Sequence, residues 1–159
     1  QMGCRRIANL HGPKGITVSQ QRFQGYQDCL RKHDLPLLPE LIAYVSFSAE
    51  SAVKATKALL DHRPDGIFGV NDEACFGAMK VIREKNIRIP DDIALVGFDD
   101  IPLAQFAYPP LSSVSRQSRK IGEETAQLFL AKINGQQENK QISLEPQLII
   151  RESSRKGIF

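Results

Sequence analysis

Four side chains in this sequence have the chemistry to hold a small polar molecule: Arg22, Phe47, Asn71 and Asp99. An aspartate accepts hydrogen bonds from two adjacent hydroxyls, and an asparagine both donates and accepts. An aromatic ring covers the apolar face of a sugar or stacks on a base. An arginine donates a fork of bonds to a hydroxyl, carboxylate or phosphate. Charge-assisted bonds of this kind contribute about 1.5–3 kcal/mol each. Three of them would bring a ligand to roughly micromolar affinity, about −8 kcal/mol. Each residue also has an ordinary local role open to it. Asn71 and Asp72 are both good helix caps, and capping is the favoured role for one of them. Asp99 opens Asp-Asp-Ile-Pro, which is good turn chemistry. Arg22 fits a surface charge, and Phe47 fits a core.

Catalysis has little support. His11, His33 and His62 have no matched nucleophile in a recognisable motif, and no GxSxG, Walker loop or HExxH occurs. His33 and His62 fall near predicted helix C-termini, where a cation complements the dipole. The HGPKG segment contains glycine but lacks the spacing of a phosphate-binding loop.

The elements that must position the four residues alternate strand and helix. The stretch Arg63 to Asp100 carries most of the information. It reads strand, polar turn, helix, Pro-marked turn, strand, polar turn, a βαβ unit whose strands end in Asn71-Asp72 and Asp99-Asp100. Parallel strands bring both clusters to one edge, where open α/β sheets bind ligands. Strands are predicted over 5–10, 41–46, 66–70, 93–97 and in PQLIIRES near the end. Helices are predicted over 19–33, 48–62, 72–85 and about 117–134, with Gly135 stopping the last. Arg22 then lies in the first helical turn after HGP. The three prolines of IPLAQFAYPPLSSVS suggest an extended crossover without helix. The polar GQQENKQ reads as a loop. The fold class is α/β, an open, mostly parallel sheet flanked by helices on both faces.

Bulk properties fit a globular domain. The chain has 159 residues, 42% apolar and 25% charged. A net charge of +3, from 21 basic and 18 acidic residues, is too weak to argue nucleic-acid binding by this segment. The densest basic cluster, Arg116, Arg119 and Lys120, starts a predicted helix and reads as a solvated face. Cys4, Cys29 and Cys75 form no zinc pattern and read as reduced, mostly buried thiols in a cytoplasmic protein. No apolar run reaches transmembrane length, and no cofactor is implied. The chain begins almost directly on a strand, without an initiator Met, and so reads as a fragment.

With those residues laid out, the chain resembles the LacI/GalR family of bacterial transcription regulators. The matching runs are RRIANLHGP, RFQGYQDCL, RPDGIFGVNDEACFGAMKVI, IRIPDDIALVGFDD, PPLSSV and LIIRESS, in family order. SSV stands where a Thr-Thr pair is usual, a conservative departure. The resemblance implies a type I periplasmic-binding-protein-like sensor core of two α/β lobes hinged by crossover strands, with effector between them. It implies a C-terminal lobe at 1–111, a crossover and helix of the N-terminal lobe at 112–140, a returning strand at 141–153 and a tail at 154–159. By position Arg22, Phe47, Asn71 and Asp99 match effector contacts, and Gln117 matches a less regular one. Phe76 and Met79, expected to point outward, look like part of the dimer seam, and Phe106 and Tyr108 like another part.

The same resemblance implies a homodimer that binds a sugar or sugar phosphate. It contacts operator DNA only through a helix-turn-helix that this segment lacks. The 117–134 helix, lacking its usual lobe, is expected to dock on another copy or repack on its own lobe. A periplasmic sugar-binding protein of a transporter or chemoreceptor is the alternative with the same crevice. An enzyme of flavodoxin-like or hydrolase type is more remote, for want of a nucleophile or metal motif.

Overall fold

The computed structural model describes residues 3–136 and 140–155. Six strands form one sheet in the order β2-β1-β3-β4-β5-β6. They are β1 (Ile7–His11), β2 (Ile42–Tyr44), β3 (Gly66–Gly69), β4 (Ala94–Asp99), β5 (Ser112–Ser115) and β6 (Gln147–Ile149). The first five pair in parallel, and β6 runs antiparallel to β5. Helices α1 (Thr17–Lys32), α2 (Ala49–Asp61) and α3 (Asp72–Glu84) join the first four strands, and α4 (Ser118–Ile133) follows β5. The chain steps from β1 outward to β2, then back past β1 to β3 and onward to β4. The strand order therefore reverses between β1 and β3, the switch point at which such sheets open a crevice.

The core lies between the sheet and the α2–α3 pair. Ala8, Leu10, Ile67 and Leu95 of the strands meet Ala52 and Leu59 of α2 and Ala74, Ala78 and Ile82 of α3. Small residues set the spacing of the two helices. A Cβ at Gly77 would drive into the Ala49 carbonyl oxygen, so α2 and α3 pack backbone to backbone there. α1 packs on β1 through Tyr26 and Leu30, and the Tyr26 hydroxyl donates to the Ile7 carbonyl at 2.8 Å.

Several sequence expectations need correction. α1 starts at Thr17 rather than Ser19, so Arg22 sits in its second turn. The segment after Asp100 is not helix-free, because Pro102–Phe106 form a 3₁₀ helix with proline at its start and buried Ala104 beneath it. The last strand is only three residues long, and Glu152–Ser154 turn away as 3₁₀ helix. The Ser153 hydroxyl then donates to the Leu95 carbonyl at 2.7 Å and fastens the segment to β4. Cys75 is buried and Cys4 half-buried, but Cys29 is exposed, because α1 covers only a strip of sheet and Cys29 borders the open groove beside it, with Tyr26, Phe68 and Val96.

Met79 does not point outward. It is 5% exposed and belongs to the core, while Phe76 beside it is half-buried. Residues 75, 78, 79 and 82 repeat at helical spacing toward the sheet, and Met79 falls at the edge of that stripe. α4 does not repack on its own sheet. None of its residues is buried, and Phe129, Leu130 and Ile133 face solvent. It ends in a Schellman turn, with Gly135 at φ 87° and the Gln136 amide donating to the Ala131 carbonyl. Residues 137–139 of the polar loop and 156–159 of the tail lie outside the described residues.

Candidate functional site

Because β1 to β5 are parallel, their C-terminal ends share one edge, and every nominated binding residue lies along it. Phe47 follows β2, Asn71 follows β3, Asp99 ends β4 and Gln117 follows β5. Arg22 reaches the same edge from α1. Its guanidinium donates to the Val70 carbonyl at 2.5 Å and to Asp99 Oδ1 at 3.3 Å. It also lies over the Phe98 ring, 3.8 Å from the centroid, a cation–π contact. Three anchors therefore hold Arg22 across the ends of β3 and β4. Burial pulls its proton affinity below the usual value and Asp99 opposes that effect, but a guanidinium stays charged throughout.

Asp99 has an unusual backbone. Its φ is 106° and that of Asp100 is 51°, so two successive non-glycine residues occupy the positive-φ region. Such conformations cost of order 1–3 kcal/mol each and persist only when their surroundings hold them. Here the Asp100 amide donates to the Ser113 hydroxyl, and the Asp100 carboxylate pairs with Arg151 at 2.8 Å. The Ile101 amide donates to Asp72 Oδ2, also at 2.8 Å. The Asp99 carboxylate meets Arg22 and also Arg116, whose Nε lies 3.0 Å from Oδ1.

Asn71 and Asp72 divide their work. Asn71 caps α3: its Oδ1 accepts from the Ala74 amide at 2.9 Å, and its Nδ2 donates to the Phe47 carbonyl at 2.8 Å. One donor hydrogen remains free, so Asn71 ties the β2 loop to the β3 end and has limited capacity for a ligand. Phe47 is partly exposed beside it. Asp72 turns inward, accepting from the Ser113 hydroxyl at 2.5 Å and from Ile101. Burial raises its pKa, while those two hydrogen bonds pull the other way. Gln117 caps nothing with its side chain, because Nε2 donates to the Glu145 carbonyl at 2.5 Å.

A crevice of about 790 Å³ opens beside this edge, lined by Asp99, Asp100, Ser115, Arg116 and Gln117 on one side and by Lys120 and Glu124 of α4 on another. Arg22 and Asp99 are thus joined directly. Phe47 and Asn71 form a neighbouring pair, linked to Arg22 through Val70. Sequence reasoning missed Arg116 and Phe98. Arg116 was legible as the residue just past the end of β5, but its basic neighbours disguised it as part of a solvated face.

On the opposite side of the sheet from α1, a second groove of about 730 Å³ brings together Phe76, Met79, Leu103, Phe106 and Tyr108. Met79 is its floor, and Phe106 and Tyr108 are 75% and 78% exposed. No described helix is long and apolar enough to cross a membrane.

A reversed strand order with polar residues at its carboxyl edge defines a class of small-ligand-binding α/β domains. Residues 1–154 match the family model of the periplasmic binding protein-like domain, and the chain belongs to that family. Its relatives of similar sequence include proteins described as transcriptional regulators and operon repressors. It is 35% identical over 156 residues to the HTH-type transcriptional regulator CelR of Thermobifida fusca, covering 96% of this chain and 46% of that protein. It is 31% identical over 160 residues to the ribose operon repressor of Halalkalibacterium halodurans, covering 99% and 47%. The solved structure of a CelR–cellobiose complex superposes with a TM-score of 0.86 at 35% identity, over 96% of this chain and 47% of that one. The chain therefore spans about half the length of the relatives it matches.

Proposed function

We propose that this chain is the effector-sensing and dimer-forming segment of a LacI-type DNA-binding transcription regulator, a repressor answering to a sugar. The observation that carries the proposal is the Arg22–Asp99 pair held across the ends of β3 and β4 beside the switch point. The Asp99 contacts described above both use Oδ1, which leaves Oδ2 to accept from a ligand hydroxyl. Phe47 offers an apolar face next to Asn71, and Gln117 borders the crevice. Relatives named for ribose, and a neighbour holding cellobiose, support a sugar as the effector.

In this reading residues 1–111 are one lobe, 112–140 carry a crossover and a helix of a second lobe, and 141–153 return to the first. The exposed face of α4 supports that division. Effector between the lobes would favour one hinged state and so change operator affinity; equal binding to both states would change nothing. Two copies associate through the groove of Phe76, Met79, Phe106 and Tyr108. The protein acts in the cytoplasm, and operator contact comes from a helix-turn-helix outside this segment.

The test is operator binding by the full-length protein, followed by fluorescence anisotropy across a panel of sugars. At least one sugar shifts operator affinity, and Asp99→Ala keeps DNA binding while losing that response. A response unchanged in Asp99→Ala would contradict the reading.

A further inference from the structure

We infer that Arg116 makes this site selective for an effector bearing a negative charge, a sugar acid or a sugar phosphate, over its neutral counterpart. The inference rests on the sugar-effector reading above and narrows it. Among the described residues, Asp99 is the one carboxylate within ion-pair distance of both Arg22 and Arg116, at 3.3 and 3.0 Å, through the same oxygen. At ion-pair distance one carboxylate thus serves two guanidinium cations. Arg22 is nearly buried, and its donors are committed to Val70, Asp99 and the Phe98 ring. Arg116 is different. Its side chain is 51% exposed, it meets Asp99 through Nε, and it lines the crevice.

Of the nearby acids, Asp100 is paired with Arg151 and Glu123 with Arg119 at 2.9 Å. Asp72 attracts Arg22 from a longer range, but it is buried against Ser113 and Ile101 and makes no ion pair with Arg116. Glu124 and Lys120, four residues apart on α4, both line the crevice. The two terminal nitrogens of Arg116 form the planar fork that matches a carboxylate or phosphate edge. A ligand hydroxyl on Asp99 Oδ2 would carry such a group toward that fork.

The test is calorimetric titration of the full-length protein with matched sets: glucose, glucuronate and glucose 6-phosphate, with the galacto and manno series. The set contains both anion types, so it separates a carboxylate from a phosphate preference. An anionic member binds at least about tenfold tighter than its neutral hexose, since a charge-assisted contact supports a factor of that size. Added salt reduces the ratio. Arg116→Gln collapses it toward one, while circular dichroism and melting confirm an intact fold. A neutral hexose binding tightest, or a ratio unmoved by Arg116→Gln, overturns the inference and leaves the sugar-effector reading standing. No binding by any member, with Asp99→Ala indistinguishable from the parent, contradicts both.

Discussion

α3 and α4 are similar in length but have opposite fates. α3 buries a whole face against the sheet and α2, including Cys75, Ala78 and Ile82. α4 carries Phe129, Leu130 and Ile133 and buries none of its residues. Composition does not explain the difference, because both helices present apolar residues at helical spacing. Position does. α3 lies between two adjacent parallel strands and must cross the sheet face, whereas α4 leaves β5 at Arg116 and Gln117 and returns to β6 without crossing it. The contrast marks β1–β5 with α1–α3, fastened by Ser153 after β6, as the packed unit. Helix α4 is attached to that unit beside the crevice.

Substitutions that weigh the two regions sharpen the contrast. Leu95→Ala empties a site beneath α3 and should destabilise the chain by about 2–5 kcal/mol in urea denaturation. Asn71→Ala removes the α3 cap and the tie to the Phe47 carbonyl, for a loss of about 1–2 kcal/mol in the same assay.

A pH effect comes next, at the outer end of β1. His11 is buried between Phe23 and Tyr44, with ring centroids 4.4 and 4.8 Å away. Burial lowers its pKa, backed by nearby Lys14 and opposed by the Gly12 backbone. The unfolded chain takes up that proton near the ordinary histidine value of about 6.5, and the folded chain only at lower pH. Stability from this group is therefore complete above about pH 6.5 and is lost as pH falls through the depressed folded value. His11→Asn should flatten that part of the stability-versus-pH curve. The smallest effect belongs to α4: Phe129→Ala should change stability by no more than about 0.5 kcal/mol. A loss near that of Leu95→Ala would erase the contrast.

Much of this was legible in the sequence. RPDGIFGVND and IPDDIALVGFDD mark strands that end in polar pairs, and parallel pairing alone brings Asn71 and Asp99 to one edge. Other features needed coordinates. Asn71 and Asp72 are equally good caps by type, and only the inward pull of Ser113 and the Ile101 amide decides that Asn71 caps and Asp72 turns in. Met79 sits at the margin of its helix's apolar stripe, where spacing does not decide between core and surface. Arg116 meets Asp99 because β5 pairs with β4 and sets Ser115 opposite Asp99, a strand neighbour that the sequence does not announce.

The most direct test of this two-part account is hydrogen exchange on the 159-residue chain under native conditions. α3 amides should exchange only through global unfolding, while α4 amides exchange orders of magnitude faster by local fraying. Equal protection of the two helices would show that α4 has a packing partner within the segment and would contradict the account.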